Sequence, residues 1–271
     1  MRRLLAAAVL AGLLVAVAAP RAEAAPTWHL KFTDAFNTPV PKGRFTDCDH
    51  HADTPAAYCG GLTGSVRAGW WAYPAGWPDT ATQRHYPVGG YYDPASTLWI
   101  APSPWGDGQL HIRMWRGSSG PVHSATVVPK AAMGLRYGRY EIRERVSHVA
   151  VGYKSAQLLW PVANVGCPEI DFPENSHNVP VSAFDHPTNC GQQDAIDTGA
   201  RWSDWHTYVI QWTSAGVDFY VDSKRVGHSS KTPSTAMDWD IQNESSLDGE
   251  RAAPNSWDQI DVSWVKVWSW G

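Results

Sequence analysis

A period of two dominates this chain. In "RYEIRERV" (139–146), Tyr140, Ile142, Glu144 and Val146 fall on one face and Glu141, Arg143 and Arg145 on the other. That is the alternation of a half-buried β-strand, not the 3.6-residue period of a helix. The same pattern marks "QLHIRMW" (109–115), "HTYVIQW" (206–212), "VDFYVD" (217–222) and "IDVSWVKVW" (260–268), and it assigns Trp212 and Trp264 to the core. Gly, Pro, Asn, Asp and Ser clusters such as "SPWGDG" separate these runs, and no long segment after residue 25 has helical period. The pattern predicts an all-β, antiparallel sandwich. Residues 37–108, richer in Pro, Gly and aromatics, read as long loops laid over it, where binding residues tend to sit.

The N-terminus reads differently. Arg2 and Arg3, an apolar run from Leu4 to Ala19 and then Ala22-Glu23-Ala24 form the three regions of a secretory signal. The expected division is therefore a signal over 1–24, cleaved near Ala24, and one sandwich domain over 25–271. The apolar run falls short of the ~20 residues that span a bilayer, so a secreted, extracellular protein without membrane attachment is expected. Cleavage removes three arginines and one glutamate, moving the formal charge from -4 to about -6, which argues against a nucleic-acid partner. Four cysteines in an exported chain favour two disulfides, with Cys48–Cys59 and Cys167–Cys190 as the local pairing among three. No C-x-x-C pair supports a zinc site, no G-x-S-x-G elbow a serine hydrolase, and no Gly-rich motif a phosphate cradle.

"CPEIDFPEN" (167–175) places Glu169, Asp171 and Glu174 within six positions of an apolar stretch. On a regular strand Glu169 and Asp171 share a face and Glu174 lies opposite. One extra residue near Phe172-Pro173 would return Glu174 to the first face, and a proline, having no N–H for the ladder, suits such a bulge. Three acids in one cleft could divide a proton unequally, one glutamate ionised as nucleophile and the other protonated as general acid. On spacing alone a calcium site or an ion-pair cluster competes equally.

These residues resemble the E-x-D-x-x-E motif of glycoside hydrolase family 16, in its laminarinase-like, bulged branch. "FTDAFN" (32–37), "DGQLHIR" (107–113), "LRYGRYEIRERV" (135–146), "WHTYVIQWTSAGVDFYVD" (205–222) and "IDVSWVKVW" are similar to family segments in the same order. The resemblance implies a concanavalin-like β-jelly roll of two curved sheets with an open cleft on the concave face. It also implies Glu169 as nucleophile, Asp171 as assisting acid, Glu174 as acid/base and His186 as a histidine on the next inner strand, for which a purely structural role is an equal reading. The chain departs from the family pattern at Pro168 and Pro173, at Leu158, where a cleft tryptophan is common, and at Gln211, where the family has Glu.

Sixteen tryptophans exceed what a core requires, and some should line sugar subsites. Trp160, Trp70, Trp71, Trp77 and Trp202 are the nominees. The expected function is a secreted, monomeric endo-glycosidase that cleaves a β-linked polysaccharide, of β-1,3-glucan type, with retention. It would require no cofactor, with room for a structural calcium whose ligands the sequence does not locate. A carbohydrate-binding sandwich without catalysis, or a hydrolase or lyase for an atypical wall glycan, remain the alternatives.

Overall fold

The computed structural model describes residues 26–51 and 54–271; the expected signal sequence lies outside them. Among the described residues the strands are β1 (Trp28–Asp34), β2 (Trp70–Ala72), β3 (Gly90–Tyr92), β4 (Leu98–Pro102), β5 (Gly108–Arg116), β6 (Val122–Pro129), β7 (Gly138–His148) and β8 (Tyr153–Pro161). They continue with β9 (Glu169–Ser176), β10 (Ser182–His186), β11 (Asp194–Asp197), β12 (His206–Thr213), β13 (Gly216–Val221), β14 (Lys224–Ser229), β15 (Met237–Ser245) and β16 (Trp257–Trp270). Among the described residues helix is confined to short turns between residues 64 and 97, α1 (Gly64–Gly69), α2 (Thr80–Gln83) and α3 (Pro94–Thr97), and to a 3-10 turn at Lys130–Ala132.

Two antiparallel layers follow from the pairing. One runs β11-β10-β9-β8-β15-β6 and the other β5-β16-β7-β12-β13-β14; β6 bonds to both β15 and β5 and so joins them at one edge. The alternation read from the sequence holds on β7, whose residues 140, 142, 144 and 146 are buried while those between are half-exposed. Aromatics close the space between the layers. Phe172 from β9 meets Tyr208 of β12 and Phe219 of β13 edge-on, each at 5.4 Å, and Tyr140 lies 5.5 Å from Trp239. Burying a side chain such as Phe172 contributes roughly 2 kcal/mol.

Trp212 is fully buried, as the alternation required, but Trp264 is not. β16 slips register against β7 between Val262 and Trp264, which passes the inward position to Val265 and Val267 and turns Trp264 to the outer face, where Lys266 lies over its ring at 4.6 Å. A bulge inverts every later side chain on its strand.

Both local disulfides form, Cys48–Cys59 and Cys167–Cys190. The loops over residues 73–92 are tied to the first layer by Asp79, which caps α2 at Thr82 N, accepts Gly90 N at 2.8 Å and accepts Ser245 N from the end of β15 at 3.1 Å. Gly90 is dictated by this packing, since a Cβ there would stand 2.5 Å from Asp79 Oδ2 and 2.6 Å from Ser124 Oγ.

Candidate active site

The register of β9 decides what the acidic motif can do. On one side Asp171 pairs with Leu158 and Glu174 with Ala156; on the other Asp171 pairs with Phe184 and Glu174 with Ser182. Three residues of β9 thus span the distance that two residues span on each neighbour. The extra residue lies at Phe172-Pro173, so Phe172 enters the core while Glu169, Asp171 and Glu174 all line one cleft. On a regular strand of the same sequence, without the bulge, Glu174 would point into the sandwich.

The cleft has a volume of about 790 Å³. Its floor is the outward face of the first layer: Lys154, Ala156, Leu158 and Trp160 from β8, Asp240, Gln242 and Glu244 from β15, Phe184 and His186 from β10. One wall comes from the loops, with Tyr73, Trp77, Thr80, Gln83, Arg84 and Tyr92; the opposite rim holds Asn164, Gly166 and Gln193. The Cys167–Cys190 bridge staples the two loops of that rim together, one leading into Glu169 and the other following His186.

Crowding and burial govern the charges. Burial, followed by the negative charge of Asp171, pushes Glu169 up to about 9, with His186 opposing. Asp171 is fully enclosed and is raised well above the usual carboxylate range, first by burial and then by Glu174. Its Oδ2 lies 3.3 Å from His186 Nε2. Glu169 and Asp171 therefore titrate as a unit that retains a proton at neutral pH. Glu174 is placed differently, with Oε1 2.8 Å from Lys154 Nζ. Glu169, Asp171 and His186 also offer ligand atoms within 4.8 Å of one another.

Of the residues expected from the sequence, the structure brings Glu169, Asp171, Glu174, His186, Trp160 and Trp77 into the cleft. Trp160 is fixed there by a bond from its indole to Asn164 Oδ1 at 2.9 Å. Trp71 and Trp202 do not belong there. Trp71 is 0 % exposed and supports the wall from behind, edge-on to Trp77 at 6.3 Å, and Trp70 beside it is buried as well. Trp202 is 2 % exposed, packed on His177 at 4.9 Å. Large indoles near a site are drawn first into the core that shapes it. Lys154, Asp240 and Glu244 escaped the sequence reading. Counting back in twos from Trp160 places Lys154 on the same face, and that single cation in the apolar run "YKSAQLLWP" was the available signal.

A serine, histidine and aspartate do meet elsewhere: Ser155 Oγ is 2.8 Å from His177 Nε2, and His177 Nδ1 is 2.8 Å from Asp258 Oδ1. All three are buried between the layers and Ser155 is also 2.6 Å from Asn243 Oδ1, so the group bonds the core and faces no substrate.

The model of Glycosyl hydrolases family 16 matches residues 105–248. No curated protein matches the chain. Among solved structures, the laminarinase from Rhodothermus marinus is 19 % identical, with 91 % of this chain and 99 % of that one covered and a TM-score of 0.63. LamA from Z. galactanivorans, solved as a variant in complex with laminaritriose and laminaritetraose, is 16 % identical over 89 % and 98 %, TM-score 0.63. A beta-1,3-glucanase from Mycobacterium marinum is 18 % identical over 89 % and 99 %, TM-score 0.60. These likenesses carry the jelly-roll fold, and the family match spans more than half of the sequence, acidic motif included: the chain belongs to glycosyl hydrolases family 16.

Proposed function

We propose that the protein is an exported endo-glycosidase that hydrolyses internal β-linkages of a neutral polysaccharide, of β-1,3-glucan type, with retention of configuration. The observation that carries this reading is the extra residue at Phe172-Pro173, matched against both neighbouring strands, which turns the second glutamate into the cleft beside the first. Glu169 attacks the anomeric carbon once the proton of the Glu169–Asp171 unit rests on Asp171, whose enclosed carboxyl is suited to hold it. Glu174 protonates the departing oxygen and then takes the proton of the water that releases the glycosyl-enzyme. His186, against Asp171, orients the middle acid. These groups account for each proton transfer, so the reading calls on no cofactor. The two disulfides suit an exported protein, and the neighbour bound to laminari-oligosaccharides supports the choice of glycan.

The test is turnover of a panel of β-glucans, galactans and wall glycans by the parent protein, Glu169→Gln and Glu174→Gln. Reducing ends released by the parent and lost by at least 10³-fold in both variants support the assignment, on the scale that removal of a catalytic group commonly costs. Binding without turnover by the parent would leave a lectin, and products absorbing in the near ultraviolet would indicate a lyase.

A further inference from the structure

The hydrolytic chemistry leaves one buried cation unused. Lys154 stands on β8 opposite Ser176 of β9 and Glu244 of β15, and it is only 6 % exposed. Its Nζ donates to Glu174 Oε1 at 2.8 Å and lies 3.9 Å from Glu244 Oε1. Glu244 is itself anchored, its Oε2 accepting Thr80 N at 2.9 Å and the Tyr92 hydroxyl at 3.4 Å. The ammonium is thus clamped between two carboxylates, one of them tied to the loop wall of the cleft. Burial works against the charge of Lys154, but Glu174 and Glu244 outweigh it and hold the side chain protonated.

The other titratable or charged groups around Glu174 are Glu169 and Asp171 on its own strand, His186 on β10, Asp240 and Glu244 on β15, and Tyr73, Arg84 and Tyr92 from the loops. Those of the four acids that are ionised oppose a negative charge on Glu174. Among the described residues, Lys154 is the cation that hydrogen-bonds to it.

Resting on the reading of Glu174 as acid/base, we propose that Lys154 is a positioning residue, which aims the Glu174 carboxyl into the cleft and offsets the crowd of acids around it, setting where activity ends on the alkaline side. The alkaline limb of kcat/KM in a retaining enzyme marks loss of the proton from the acid/base. An opposite charge at this range moves a carboxyl by about one to three pH units. Removing the ammonium therefore displaces the limb upward, and removing the charge of Glu244, a like charge to Glu174, displaces it downward.

The experiment is the pH profile of kcat/KM for the parent, Lys154→Met, Lys154→Arg and Glu244→Gln, together with an NMR titration of the carbon-13-labelled Glu174 carboxyl, which needs no substrate. The expected result is an alkaline limb about one unit or more higher in Lys154→Met, restored toward the parent in Lys154→Arg, and lower in Glu244→Gln, with the NMR midpoint following each. A side chain that merely fills space would not produce shifts of opposite sign. Limb and midpoint unmoved in Lys154→Met overturn the proposal, and should that variant fail to fold, an unmoved or raised midpoint in Glu244→Gln overturns it equally. A parent protein that cleaves no glycan defeats the functional reading, whereas the Glu174 midpoint still decides the role of Lys154.

Discussion

Glu144 is a carboxyl enclosed in the core, away from the cleft. It occupies an inward position of β7, fully buried, with both oxygens accepting from Gln157 Nε2 at 3.2 and 3.0 Å. Burial pushes it up to about 8, the Gln157 bonds pulling the other way. An unfolded chain ionises the same group near pH ~4.3. Below that pH both states hold the proton and the residue costs nothing; between about pH 4.5 and 8 only the unfolded state releases it, so folding loses stability as pH rises, by a few kcal/mol at the upper end. Glu144→Gln should match the parent's Tm at pH 4 and exceed it by several degrees at pH 8, read by thermal melts; equal melting temperatures at both pH values would refute this. The tryptophans separate in a related way. Trp77→Ala should raise KM several-fold with little change in Tm, because its ring faces the cleft, whereas Trp71→Ala should cost about 3–5 kcal/mol of stability because its ring is core. Position along the chain did not distinguish Trp71 from Trp77, since both lie where periodicity is weak; exposure did.

β9 shows how one residue can govern an entire strand. The acidic spacing predicted a bulge, and the pairing on both flanks places the extra residue where a proline removes one ladder donor. Deleting Pro173 removes the extra residue itself, so on a regular strand the second glutamate falls two places after Asp171 and still faces the cleft; measurable turnover should survive, whereas Glu174→Gln abolishes it. Loss of activity as complete as in Glu174→Gln, with a β-rich circular dichroism spectrum retained, would refute this reading of the strand. The counterpart bulge on β16 left one mark in "IDVSWVKVW": unbroken alternation from Ile260 would turn Lys266 inward together with Trp264, and the slip at Ser263 keeps that cation on the outer face. At the rim, replacing Cys167 and Cys190 by Ser should lower stability by about 2–4 kcal/mol and raise KM more than it lowers kcat, since the bridge joins the loops beside Trp160 and Gln193 and leaves the acids on their strand.

At the scale of the molecule, the acids share one cleft with Trp77 and Arg84 of the loop wall and Gln193 of the rim. If the proposed endo-glycosidase reading holds, the viscosity of a soluble β-glucan should fall well ahead of the release of reducing ends; release of monosaccharide in step with the viscosity would refute the endo mode. The amino-acid sequence by itself determined the strand-rich architecture, the local disulfides and the acidic strand, because a period of two, close cysteine spacing and an E-x-D-x-x-E pattern are all written within short stretches of chain. Only the tertiary structure decided which indoles face the cleft, that Trp264 turns outward, and that Lys154 and Glu244 close on Glu174, because each depends on pairing strands far apart in the chain and on a register that is fixed only when those strands meet.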